Sequence, residues 1–211
     1  MLTPASADGE IVVAKRKVYV FWDNSNIFIG ARNFFAKHKR TFSNNARIDF
    51  ENLFKLAHSN RDVAGGFCAG SIPPDLRTVW DKLEKKTGVK LELFERGKES
   101  GKEQGVDQAL QVRMLRVMAD EAYPQIAFLL TGDGKGYYEG VGFHADLERL
   151  HKKGWGIEVV SWQDTCARAL RDFANASGLF ISMDDFVDNL VFEQGLTRVK
   201  SLDLRKRKAL V

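Results

Sequence analysis

Three aspartates in this chain have the type and placement to share a divalent cation: Asp23, Asp107 and Asp133. Asp23 closes the unbroken β-branched and aromatic run Val18-Tyr-Val-Phe-Trp22 and leads into Asn24, Ser25 and Asn26. Asp107 opens a helical stretch, as Gly105-Val106-Asp107. Asp133 stands in Thr131-Gly132-Asp133-Gly134, straight after the apolar run Ile126-Ala-Phe-Leu-Leu130. Carboxylates gathered at one place in water repel one another, and a hard cation relieves that repulsion. Mg²⁺ suits a few carboxylates, because it keeps several waters and completes its shell with phosphate oxygens. It lowers the pKa of an attacking water and stabilises charge developing on a phosphate. Asn26, one helical turn beyond Asp23, is placed to hold a carboxylate or phosphate oxygen in register. Thr131 and the amides around Gly132 and Gly134 are placed to orient Asp133 or a phosphate. Each acid also has a plain alternative, since Asp at a strand end or helix start commonly caps a helix.

The elements that must position these acids follow from periodicity. The run from Val18 to Trp22 reads as a strand, about 17–23, buried on both faces inside a parallel sheet. Its carboxyl end is where open α/β folds bind ligands. A helix over about 26–37 carries Ile27, Phe28, Ala31, Phe34 and Phe35 on one face. An exposed loop runs on to Asn45, and Asp49 caps a short helix bearing Leu53, Phe54 and Ala57. Strands are expected over 63–69, 89–94 (alternating, hence nearer an edge), 126–130 and 156–160. Helices are expected over 75–87, 106–119 and 143–153, and one capped by Asp164 carries Cys166, Ala169, Leu170 and Phe173. This alternation predicts an α/β fold, a mostly parallel central sheet of about five strands with helices on both faces. Trp22 and Trp162 are expected in its core.

Composition bounds the rest. The chain has 211 residues, 44% of them apolar and 28% charged, with net charge +4 and a pI near 9.0. That suits one domain, 16–192, between a loose arm (1–15) and a basic tail (193–211). The tail holds Arg198, Lys200, Arg205, Lys206, Arg207 and Lys208 against Asp203, and reads either as a non-specific RNA contact or as a solvated arm. Cys68 and Cys166 form no CxxC and lie among apolar residues. They read as reduced core thiols of an intracellular, cytoplasmic protein. No apolar run nears the roughly 20 residues of a membrane helix, and the N-terminal order of apolar and basic residues is wrong for a secretory signal. Lys135 in Gly132-Asp-Gly-Lys-Gly136 does not make a P-loop, because Leu129 stands at the first glycine position and Gly136 at the Ser/Thr position. A haloacid-dehalogenase phosphatase would want Asp where Ser25 stands. Lys98, Lys102 and Lys135 lie in loops of the acidic rim, as phosphate contacts or as solvated residues. His144 and His151 share a helix face and are read as solvated rather than metal-bound.

The set of DxxN after the first strand, GVD at a helix start and TGDG after a later strand resembles the NYN domain, a branch of the PIN-like metal-dependent nucleases. Ser71-Ile-Pro-Pro74, the spacing of Leu147, Leu150 and Gly154, and Leu179-Phe-Ile-Ser-Met-Asp184 are similar too, so the likeness covers about 17–190. The resemblance implies a PIN-like Rossmannoid fold and a Mg²⁺ or Mn²⁺ site made by Asp23, Asp107 and Asp133. It also implies hydrolysis of phosphodiesters, most of all of RNA, by a metal-dependent endoribonuclease, monomer or homodimer. Two departures stand out. The family's KGVD and the Asp six residues further on become Gln104-Gly-Val-Asp107 and Arg113. The second acid of GDGD or GDSD is replaced by Lys135, followed by an inserted Gly136-Tyr-Tyr-Glu-Gly-Val-Gly142 before Phe143. Glu139 is a candidate replacement for that acid, and the inserted tyrosines are candidates for stacking on a base. A catalytically weakened domain that binds RNA or protein is the alternative reading, and a phosphatase of small esters a third.

Overall fold

The structure, a computed structural model, describes residues 15–24, 27–41, 44–72, 77–95, 105–132 and 140–211. Strand and helix alternate as β1 (Val18–Asp23), α1 (Ile27–Lys37), β2 (Ala46–Ile48), α2 (Phe50–His58), β3 (Val63–Ile72), α3 (Arg77–Thr87), β4 (Lys90–Glu95), α4 (Val106–Asp120), β5 (Ile126–Leu130), α5 (Phe143–Lys152), β6 (Gly156–Ser161), α6 (Arg168–Ser177), β7 (Leu179–Ser182), α7 (Val187–Leu190) and β8 (Val191–Glu193). Six strands form one sheet in the order β4-β3-β1-β5-β6-β7, and every neighbouring pair is parallel. β2 and β8 form a separate antiparallel ribbon with Arg47 opposite Phe192. No helix among the described residues is long and apolar enough to cross a membrane.

The sheet is central because β1 is apolar on both sides. Val18, Val20 and Trp22 face one cluster, with Ile27 and Ala31 of α1, Leu53 and Leu56 of α2, and Trp80 and Leu83 of α3. Tyr19 and Phe21 face the other, with Leu110 and Met114 of α4, Leu147 and Leu150 of α5, and Leu170 of α6. The period-two alternation of a strand thus feeds two helix layers. Trp22 and Trp162 are both buried, as expected.

Several local expectations change. The main sheet has six strands rather than about five, because Leu179–Ser182 pairs with β6. Phe28, expected inward, is 40% exposed. The inward positions of α1 are Ile27, Gly30, Ala31 and Phe35. Gly30 lies so close to Trp162 that a Cβ there would stand 2.0 Å from the indole ring, and that contact turns Phe28 outward. Asp49 does cap α2, accepting from the Asn52 amide at 2.8 Å. Asp164 does not cap α6: it pairs with Lys37 at 2.6 Å, and the N-cap of α6 is Ala167, without a side-chain bond. His144 is buried rather than solvated, its ring 4.9 Å from that of Phe173.

The basic tail also has a structural part. Glu158, wholly buried in β6, receives both arms of Arg61 at 2.7 and 2.8 Å. It also accepts from Arg207 at 2.5 Å and from the Leu210 amide at 2.7 Å. Arg207 donates further to the Leu56 carbonyl and lies over the Phe128 ring. Two guanidinium groups and an amide satisfy the buried carboxylate, which unpaired would be very costly. Arg207 is therefore part of the core, while Arg205, Lys206 and Lys208 stay exposed.

Candidate active site

The strand order sends β3 and β4 to one side of β1 and β5, β6 and β7 to the other. α4 carries the chain back from the β4 edge across β3 and β1 to reach β5. The carboxyl ends of β1 and β5 therefore flank a topological switch point, the crevice where open α/β sheets bind ligands.

Asp23 is the last residue of β1, in register with Ala69 of β3, and only 2% exposed. α1 begins four residues later, so Asp23 belongs to the strand and does not occupy the helix N-cap. By alternation it shares the face of Tyr19 and Phe21, beneath α4. Thr131, the first residue after β5, is fully buried and its hydroxyl donates to Oδ2 of Asp23 at 3.0 Å. Thr131 thus orients Asp23, a contact the sequence did not indicate. Its own amide is tied to the Val160 carbonyl of β6 at 3.2 Å. The next carbonyl, of Gly132, accepts from the Ser161 hydroxyl at 3.2 Å and the Thr165 hydroxyl at 2.6 Å. These two hydroxyls fix the chain as it enters Asp133. Sequence reasoning missed them, although a Ser at the end of a buried strand and a Thr just beyond it carry the signal.

Asp107 lies in the first turn of α4, with its side chain exposed. The N-cap there is Gly105, with φ at +85° and no side-chain bond, a backbone conformation that favours glycine. Val106 plugs the Phe21 cluster and so anchors this helix end. The negative charge of Asp107 is favourable at the positive end of the helix. Asp133, Asn26, Lys98, Lys102 and Lys135 lie outside the described residues, as do Gln104 and Glu139. Among the described residues no three His, Cys, Asp or Glu side chains form a group able to hold a metal ion.

Two further residues bear on the chemistry. Arg113 pairs with Glu92 of β4 at 2.5 Å, and its guanidinium lies 5.0 Å from the centre of the Phe67 ring. Its charge is thus matched by a neighbouring acid on the β4 edge. Cys68 is buried, and burial together with the Asp23 charge pushes its thiol well above the usual range. A protonated buried thiol is no nucleophile at neutral pH.

The NYN domain model matches residues 17–184. This chain belongs to the NYN domain family. The matched span runs from β1 through β7, so it contains the switch point and all three aspartates. A protein of unknown function from Vibrio parahaemolyticus has a similar structure, at TM-score 0.60 and 16% identity, covering 83% of this chain and 98% of the other. That likeness is one of fold. No curated protein matches the chain. NYN domains are nuclease-like, and the PIN-like nucleases typically depend on a divalent metal. The donors present fit such an ion in kind: carboxylate oxygens are hard ligands, suited to Mg²⁺ or Mn²⁺.

Proposed function

We propose that this NYN domain is a metal-dependent endoribonuclease, hydrolysing RNA phosphodiester bonds at the β1–β5 switch point. The observation that carries the reading is the buried Asp23 carboxylate, held by the Thr131 hydroxyl at the end of the central strand in a chain of a nuclease-like family. Asp23, Asp107 and Asp133 would hold Mg²⁺ or Mn²⁺. The ion supplies Lewis-acid activation of water and stabilises charge on the phosphate. Thr131 fixes the rotamer of Asp23, so that one oxygen is committed to the protein and the carboxylate keeps its direction. Ser161 and Thr165 fix the Gly132 carbonyl, one residue before Asp133. Asn26, Lys98, Lys102 and Lys135 are the candidate contacts to substrate phosphates.

The Asp133→Asn variant tests the reading together with RNA retention across a salt series. The reading expects cleavage of a mixed-sequence RNA by the unmodified chain in Mn²⁺ or Mg²⁺, and loss of cleavage but not of fold in the variant. Salt-sensitive RNA retention that ignores EDTA, with no turnover in either metal, would instead mark a binding module. Turnover of a generic phosphate ester but not of RNA would mark a phosphatase.

A further inference from the structure

α1 leaves the candidate site directly and carries an exposed apolar and basic face. Phe28 is 40% exposed and Ile29 is 51% exposed, five and six residues beyond Asp23. Arg32 follows at i+4 from Phe28, exposed on the same side of the helix. From residue 24 to residue 48 the chain has no acid at all, against Arg32, Lys37, Lys39, Arg40 and Arg47. The whole chain is nearly balanced, with 32 basic and 28 acidic residues, so this segment is a local excess of positive charge.

Both ends of α1 are tied to the turn that leaves β6. At its start, the Ile27 carbonyl accepts from Nε1 of Trp162 at 2.9 Å. At its end, Lys37 pairs with Asp164 at 2.6 Å. The residue after Asp164 is Thr165, whose hydroxyl holds the Gly132 carbonyl. The helix, roughly 16 Å long, therefore stays beside the carboxyl rim of the sheet instead of running away from it.

We propose that the exposed face of α1 is a track for single-stranded RNA, with Phe28 and Ile29 offering a surface on which a base stacks and Arg32 meeting the adjoining phosphate. The proposal rests on the RNA reading of the site. Stacking on exposed aromatic side chains between cations is how single strands are held without regard to sequence. The acid-free segment supplies the charge complementarity, and continuity with Asp23 supplies the direction. Lys37 and Arg40 are engaged with Asp164 and Asp188 at the surface. Such exposed pairs are weak enough to be exchanged for phosphates.

The test is fluorescence anisotropy of a short labelled single-stranded RNA of mixed sequence, bound in EDTA by the full chain and its variants. Phe28→Ala is expected to weaken binding about tenfold and Phe28→Trp to restore it. Arg32→Ala is expected to lower the slope of log affinity against log salt by about 0.7, one phosphate contact on a single strand. Leu196→Ala, an exposed apolar residue outside this face, is the control and should change neither. Equal affinity and equal slope in all variants would overturn the track. The nuclease reading would then stand or fall separately, on metal-dependent cleavage by the same preparations. A dimer of the unmodified chain that Phe28→Ala dissolves in sedimentation, without change in RNA affinity, would overturn it in favour of a contact between copies. An unmodified chain that retains no RNA would also overturn it.

Discussion

Asp23 and Thr131 lie 108 residues apart in sequence, yet the hydroxyl of one donates to the carboxylate of the other across the carboxyl ends of two adjacent parallel strands. Both side chains are buried. A carboxylate bonded in this way is oriented before any ligand arrives. Thr131→Val keeps the shape and removes the donor. It is expected to fold and to lose about 1.5–3 kcal/mol in denaturant unfolding, the range for a hydrogen bond to a charged group. RNA cleavage should fall by about tenfold or more, with a higher Mn²⁺ requirement, as for groups that support metal ligands. Thr131→Ser should recover most of both. Full activity in the valine variant would show that Asp23 needs no such support.

Glu158 gives the protein an acid-sensitive core. Burial works against its charge, but hydrogen bonds from Arg61 and Arg207 outweigh burial and hold its carboxyl below the ordinary value of 4.5. A depressed folded pKa contributes stability above the unfolded value, and that contribution is lost as pH falls through the folded one. Unfolding free energy should therefore drop as the pH is lowered below about 4.5. Arg207→Met is expected to cost about 3–5 kcal/mol near neutral pH, because it leaves a buried carboxylate short of a partner. An unchanged melting temperature would mean that the tail is not docked on β6.

Asp146 is the opposite case. It is buried in the first turn of α5, and its Oδ2 has no hydrogen-bond partner among the described residues. Burial raises its carboxyl above the ordinary value, against the opposing charge of Arg149. A raised carboxyl means that the folded state holds the proton longer, so this residue subtracts stability as pH rises above about 4. Asp146→Asn keeps an oxygen for Arg149 and removes the charge. It should raise neutral-pH stability by about 1 kcal/mol and flatten that limb of the pH profile. A loss of stability would mean that the Asp146 charge is needed by its surroundings.

Much of this architecture is visible in the sequence because it is local. The apolar run of β1, the stripe Val106, Leu110, Met114 and Val117, and the stop at Gly88 each declare an element by their own pattern. What the sequence hides is decided by distant partners. β2 and β8 are three residues each and exist through pairing across the length of the chain. Phe28 faces outward because Gly30 fits under Trp162, a contact no helical periodicity encodes. Arg207 reads as part of a charged tail until Glu158, an acid inside the buried strand Gly156–Ser161, supplies its partner. At the site, the sequence picked out the acid at the end of β1 and the threonine after β5, but not the hydrogen bond that joins them across two strands.

The most direct measurement is cleavage of a labelled mixed-sequence RNA by the unmodified chain and by Asp23→Asn, each in Mn²⁺, Mg²⁺ and EDTA. Asparagine at position 23 keeps an oxygen for the Thr131 hydroxyl, so the variant should fold and melt like the parent. Fragments in the metal lanes of the unmodified chain alone are the predicted result. Equal cleavage by the variant, or cleavage that persists in EDTA, would contradict a nuclease whose metal is held by Asp23.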